Sequence, residues 1–182
     1  MALAWILGGA AIVGGYFLLR GDKKKKKDDT SDRRAVEVLF GRLTLAIKQC
    51  GPLPPELVDT YASALETDFD TARTVISEIT KQHCPAVFDV PEAQVQQEGA
   101  LVVQSLETAI GLILVTAAQC PELIEGDQLD QIFSQFSVDL IQDGPLGSVS
   151  KLRGRVIPLC PTVESISGEE ILRRGREHVG VM

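Results

Sequence analysis

The sequence predicts an all-α protein: one N-terminal transmembrane helix followed by a soluble helical bundle of about five or six helices. Three observations carry this expectation. Residues 2–19 read ALAWILGGAAIVGGYFLL without a charge, and about 18 apolar residues are enough to cross a bilayer as a helix. Downstream, apolar residues recur at helical spacing between breaks marked by Pro and Gly. Residues 109–118, AIGLILVTAA, are apolar on every side, the pattern of a helix buried on most of its faces. The chain divides into an anchor at 1–20, a charged flexible tether at 21–31 and an acidic α-helical domain at 32–182.

The anchor comes first. A secretory signal would place basic residues before the apolar run and a small-residue cleavage site after it; here only Met1 precedes the run and no such site follows. The span therefore reads as retained. Trp5 and Tyr16 lie near its two ends, where amphipathic rings favour the interface. Ala10/Gly14 and Ala11/Gly15 are small-xxx-small pairs, a spacing that brings helix backbones close and allows two copies to pair in the membrane.

Arg20, Lys23, Lys24, Lys25, Lys26 and Lys27 follow. Such a flank stops transfer and is held on the cytoplasmic side, which predicts an outside N-terminus and a C-terminal domain on the cytoplasmic or an equivalent face. It also attracts anionic lipid head groups, by about 1 kcal/mol per basic residue near the surface. A nucleic-acid partner is not expected, because the basic patch is short, lacks aromatic residues and lies at the membrane.

The domain has the opposite charge. Residues 35–182 hold ten basic and twenty-one acidic side chains, a net charge of −11. That favours basic or polar protein partners and keeps the domain off an anionic surface. The chain contains no Asn, which excludes N-glycosylation.

The helices follow in order. Asp32 is placed to cap the first, striped by Val36, Phe40, Leu43, Ile47 and Cys50. Gly51-Pro52-Leu53-Pro54-Pro55 breaks it, and Pro55 opens the second. Asp68 or Asp70 caps a third, running from about Thr71 to His83. Pro91 opens the longest, Glu92–Gln119, read as the central helix of the bundle rather than a second span. Pro121 ends it. Another starts near Gly126-Asp127, carries Leu129, Ile132, Phe133, Phe136, Leu140 and Ile141 inward, and closes at Asp143-Gly144-Pro145. Residues 144–166 read as irregular, with a short strand or hairpin at 149–159. Ser167 and two acids open a final helix to about His178.

Gln49-Cys50 and Gln119-Cys120 both end a helix shortly before proline, and Glu-Leu follows each at 56–57 and 122–123. The likeness points to stacked helical hairpins. Tyr61-Ala62-Ser63-Ala64-Leu65 with Asp68 resembles the second helix of a tetratricopeptide repeat over about twelve residues, without the rest of that pattern. Anchor, basic tether and helical domain together are similar in layout to a mitochondrial import receptor.

Cys50, Cys84, Cys120 and Cys160 match no zinc spacing. On a cytoplasmic face they are expected reduced, as buried residues at element ends; in an oxidising space, two disulfides with three alternative connectivities become available. No P-loop, dinucleotide fingerprint, metalloprotease or nucleophile-elbow motif is present. His83 beside Cys84, the pairs Asp68/Asp70 and Glu169/Glu170, and Arg153-Gly154-Arg155 read as helix ends, caps and a surface turn. No catalytic residue, cofactor or metal is expected. The function expected is that of a non-catalytic subunit or scaffold in a larger membrane-associated assembly, acting through protein partners. The alternative is a membrane-anchored receptor or adaptor binding a helical or basic peptide in a groove.

Overall fold

A computed structural model describes residues 29–65, 67, 69–125 and 128–179. It is all-helical, with no strand among the described residues. The anchor and tether residues Trp5, Ala10, Ala11, Gly14, Gly15, Tyr16, Arg20 and Lys23 to Lys27 lie outside the described residues.

Seven α-helices are described. Helix α1 (Asp29–Cys50) buries Val36, Phe40, Leu43 and Ala46 along one face. It reaches back to Asp29, three residues ahead of the expected cap. At its end Gly51 takes φ +87°, open to glycine because no Cβ is present, and its N–H bonds the Ile47 carbonyl at 2.9 Å. Helix α2 (Pro55–Ala64) starts on proline, whose missing N–H a first turn does not use. Helix α3 (Phe69–His83) leads through Cys84 into a 3-10 turn, Pro85–Asp89.

Helix α4 (Glu92–Gln119) has the expected limits. It is the one described helix long and apolar enough to span a membrane, yet 72% of that apolar window is buried inside the protein. It packs against α1, α6 and α7, as the central helix of a bundle. Helix α5 (Glu122–Glu125) is a single turn.

Helix α6 (Gln128–Val156) corrects the expected irregular segment with its strand or hairpin. Gly144, at φ +78°, breaks it into two arms, and Pro145 opens the second. The β-branched residues suggested a strand, but Ser148, Leu152 and Val156 are the buried ones, and four-residue spacing is helical. A second 3-10 turn, Pro161–Ser165, leads to α7 (Gly168–Val179), where the Ser167 Oγ accepts from the Glu170 N–H at 3.2 Å. Besides these seven α-helices there are the two 3-10 turns, more elements than the five or six expected, because a single turn and a broken helix replace what read as one helix and a loop.

The helices are arranged as two copies of one unit. Glu-x3-Gly-x8-Cys occurs at Glu37, Gly41 and Cys50, and 70 residues later at Glu107, Gly111 and Cys120. Cys-Pro-x-Val-x7-Val/Ile-x3-Gly begins at Cys84 and again 76 residues later at Cys160. The structure gives both copies the same contacts. A Cβ on Gly41 or Gly99 would collide with the backbone of Val95 or Glu37; on Gly111 or Gly175, with the backbone of Ile171 or Glu107. The α1–α4 and α4–α7 crossings are therefore the same close approach, made twice. Burial follows the repeat, with Ala72, Ile76 and Thr80 of α3 answered by Ser148, Leu152 and Val156 of α6. The tetratricopeptide-like stretch starts in the last turn of α2, at Tyr61 to Ala64; its Asp68 lies outside the described residues, and it is not the unit that repeats.

The cysteines obey the repeat too. Cys50 pairs with Cys84 and Cys120 with Cys160, at Cα separations of 6.0 and 6.2 Å, within the range a disulfide spans. No described cysteine is free. This corrects the expectation of reduced thiols: the unit brings the end of its long helix beside the joint ahead of its 3-10 turn, which selects one connectivity of the three.

Candidate functional site

Two polar features stand out against the apolar core. The first lies within the bundle. The Glu107 carboxylate on α4 is fully buried. Arg33 of α1 donates to it at 2.7 Å and Arg176 of α7 at 3.1 Å. One carboxylate thus ties three helices together. Its counterpart Glu37 is held by Arg33 at 3.0 Å and by the Gln96 amide at 2.9 Å. With both oxygens engaged by guanidinium groups, Glu107 is a structural acid rather than a free base.

The second feature is a cleft of 340 Å³ between α1 and α3, closed at one end by the start of α4. Arg34, Arg42, Arg73, Ser77 and Glu92 supply its polar lining, and Val38 and Leu39 are among its apolar walls. The positions follow from helix periodicity. Arg34, Val38 and Arg42 fall four apart on α1, as do Arg73 and Ser77 on α3, so each set shares a face.

Only part of this charge is neutralised. Arg34 donates twice to Glu92 Oε1, at 3.0 and 2.6 Å. The Arg42 guanidinium lies over the Phe88 ring, 5.0 Å from its centroid, an arrangement in which the ring face attracts the cation. The Arg42 Nε is buried without a hydrogen-bond partner. Among the described residues neither Arg42 nor Arg73 has a carboxylate partner.

Several of the residues singled out from sequence for chemistry are otherwise occupied, and Asp68 lies outside the described residues. Cys84 is half of a disulfide. His83 Nε2 lies 2.7 Å from the Gly51 carbonyl; a carbonyl only accepts, so His83 donates there and seals a helix end. Arg155 bonds Asp139, which is 2% exposed, and this pair joins the two arms of α6. Glu170 receives Arg173 and Arg174 on the surface of α7. These two hydrogen bonds pull its carboxyl from an ordinary 4.5 to about 2. Tyr61 is fully buried with no partner for its hydroxyl, and burial pushes its ionisation well above the usual range. No group of three His, Cys, Asp or Glu among the described residues is placed to hold a metal.

Sequence reasoning missed the cleft. Its arginines are scattered over two helices, and their meeting depends on how α1 and α3 pack. One signal was available: Arg34 and Arg42 repeat at four-residue multiples on a helix of an otherwise acidic domain.

The chain matches no protein-family model, no curated protein and no solved structure.

Proposed function

We propose that this chain is a membrane-tethered, non-catalytic subunit or scaffold whose helical domain engages protein partners. The observation that carries this reading is the duplicated unit. Repeated helical units stack into one continuous core and expose an extended surface suited to binding. Both units here are stapled at the same joint by a disulfide. The array closes on α7, whose outer face holds Glu170, Arg173, Arg174 and Glu177 in mutual ion pairs. A charged outer face is what a capping element requires. In such a body the buried carboxylates Glu37, Glu107 and Asp139 are committed to ion pairs that hold the helices.

The membrane tether rests on residues 2–19 and on the lysines after them. The cystines bear on which side the domain occupies. The lysine flank favours a cytoplasmic face, where thiols are kept reduced. The pairing of all four cysteines counts against that face. Whole domains translocate largely regardless of flanking charge, so we assign the domain to a face where thiols are oxidised. The alternative is a membrane-anchored receptor or adaptor for a helical or basic peptide; the arginines of the cleft would repel the basic kind there.

Mild-detergent purification of the full chain from its native membrane, with partner stoichiometry by mass spectrometry, tests the subunit reading. Partners at fixed ratio that survive washing are expected. Recovery of the chain alone, or with many substoichiometric clients, would sink it. Alkylation of the same sample before and after reduction tests the side: no free thiol is expected before reduction, and four after it.

A further inference from the structure

The cleft between α1 and α3 holds positive charge that no carboxylate among the described residues neutralises. After Arg34 is set against Glu92, two guanidinium groups face 340 Å³ of open space, in a domain whose residues 35–182 carry a net charge of −11. The second unit serves as an internal control. At the places of Arg34 and Arg42 it has Gln104 and Leu112, and at the place of Arg73 it has Val149. Leu112 is 1% exposed and Val149 packs against the core. Only the Ser77 position runs the other way, with Arg153. The same fold is thus built with apolar residues where the first unit has Arg42 and Arg73, so packing does not require those arginines.

We infer that this cleft binds a phosphate monoester. Two unneutralised arginines call for a dianion, and the guanidinium fork matches a tetrahedral oxyanion in charge and geometry. The Arg42 Nε–H has no hydrogen-bond partner within the fold, so the architecture does not use this arginine's donors. The apolar walls at Val38 and Leu39 suit the carbon skeleton beside the phosphate. A compact ligand also keeps its charge within the cleft, whereas an acidic peptide would extend over an acidic surface. The phosphate has two possible sources, a soluble metabolite or a lipid head group. The lipid source rests on the proposed anchor: eight tether residues, 21–28, separate its end from α1 and reach at most about 28 Å.

The test uses the full chain in neutral detergent, titrated with glycerol phosphate while its thermal midpoint is followed. The double variant Arg42→Leu with Arg73→Val, which copies the second unit, is the comparison. Arg42→Gln with Arg73→Gln stands in should the first fail to fold. The wild-type midpoint is expected to rise by about 3 °C or more at saturation, and that of the variant by less than about a third as much. A second arm places both proteins in nanodiscs of phosphatidylcholine with or without phosphatidic acid. The lysine run contributes equally to both, so their difference reports the cleft. A difference between proteins in the lipid arm alone assigns a head group; one in the soluble arm assigns a metabolite. The soluble arm does not depend on the anchor, so failure of the membrane reading leaves it standing. No rise in either arm, equal rises in wild type and variant, or protection by a polyglutamate peptide and not by phosphate would each overturn the inference.

Discussion

The backbone of Gly175 on α7 lies directly against the carbonyl of Glu107 on α4, so close that a Cβ on the glycine would overlap that oxygen. Gly99 stands in the same relation to Glu37. In each crossing the glycine lets two helices meet backbone to backbone; Glu107 is then ion-paired across its crossing with Arg176 of α7, while Glu37 accepts across its own crossing from the Gln96 amide of α4. Packing and polar contacts thus meet where the two repeated motifs cross, the glutamate coming from one and the glycine from the other, and the meeting occurs twice.

These glycines reverse an ordinary rule. Gly→Ala within a helix normally stabilises, by about 0.5–1 kcal/mol. Gly154→Ala should do so, since nothing lies within 4 Å of its would-be Cβ. Gly99→Ala and Gly175→Ala should instead destabilise by about 1–3 kcal/mol, because the obstacle is backbone and the helices must separate. Urea denaturation of the three variants measures this. Equal stabilisation by all three would show that the crossings are looser than described.

The two disulfides should contribute alike. They close loops of 34 and 40 residues, and the chain-entropy contribution grows only with the logarithm of loop length, giving about 4 kcal/mol for each. Replacing Cys50 and Cys84 by Ser, or Cys120 and Cys160, should lower stability by similar amounts, and reductant should lower that of the wild type by more than either. A wild type whose unfolding midpoint ignores reductant would contradict the pairing.

Much of this architecture was legible in the sequence, and the reasons are local. Pro55, Pro91 and Pro121 mark helix boundaries because proline tolerates only a first turn. The limits Glu92–Gln119 follow from an apolar stretch bounded by two prolines. The second arm of α6 is hidden in the sequence because Gly144-Pro145 terminates one helix and starts another with the same two residues. Half of the repeat was visible at the Gln-Cys joints. The other half was obscured because its copies are offset by 76 residues rather than 70. The difference is six residues, which lengthen the second unit between its paired cysteines from 34 to 40. The arginine cleft was not legible, since no local pattern states which faces of α1 and α3 will meet.

The central ion pairs predict an asymmetry. Glu107 is fully buried, while the Arg33 and Arg176 side chains are 26% and 39% exposed. Glu107→Leu removes the buried charge and leaves two arginines able to turn toward water. Arg33→Met with Arg176→Met takes both of these guanidinium groups away from a carboxylate that stays buried, at a cost of about 3–5 kcal/mol. The arginine double variant should therefore be the less stable of the two at neutral pH. Chemical denaturation of both variants decides this. If Glu107→Leu proves the worse, the pairs contribute more than they cost, and the buried acid is a true stabiliser rather than a device that fixes how three helices meet.

The surface of α7 carries the pH dependence whose sign can be worked out. Hydrogen bonds from Arg173 and then Arg174 lower the Glu170 carboxyl from 4.5 to about 2. A group depressed in the folded state stabilises above its unfolded pKa and loses that contribution as pH falls through the folded value. The contribution of Glu170 should therefore be complete above about pH 5 and gone near pH 2. Because the group is exposed, the effect should be small and weakened by salt. The thermal midpoint of wild type minus that of Glu170→Gln, followed from near neutrality to about pH 2 in low salt, reads it directly. The difference should shrink through the acid limb and shrink everywhere on adding salt. A difference that stays constant with pH would mean that α7 is held by its Gly175 and Arg176 contacts with α4 alone, and that the outer arginines serve only to keep the capping face charged.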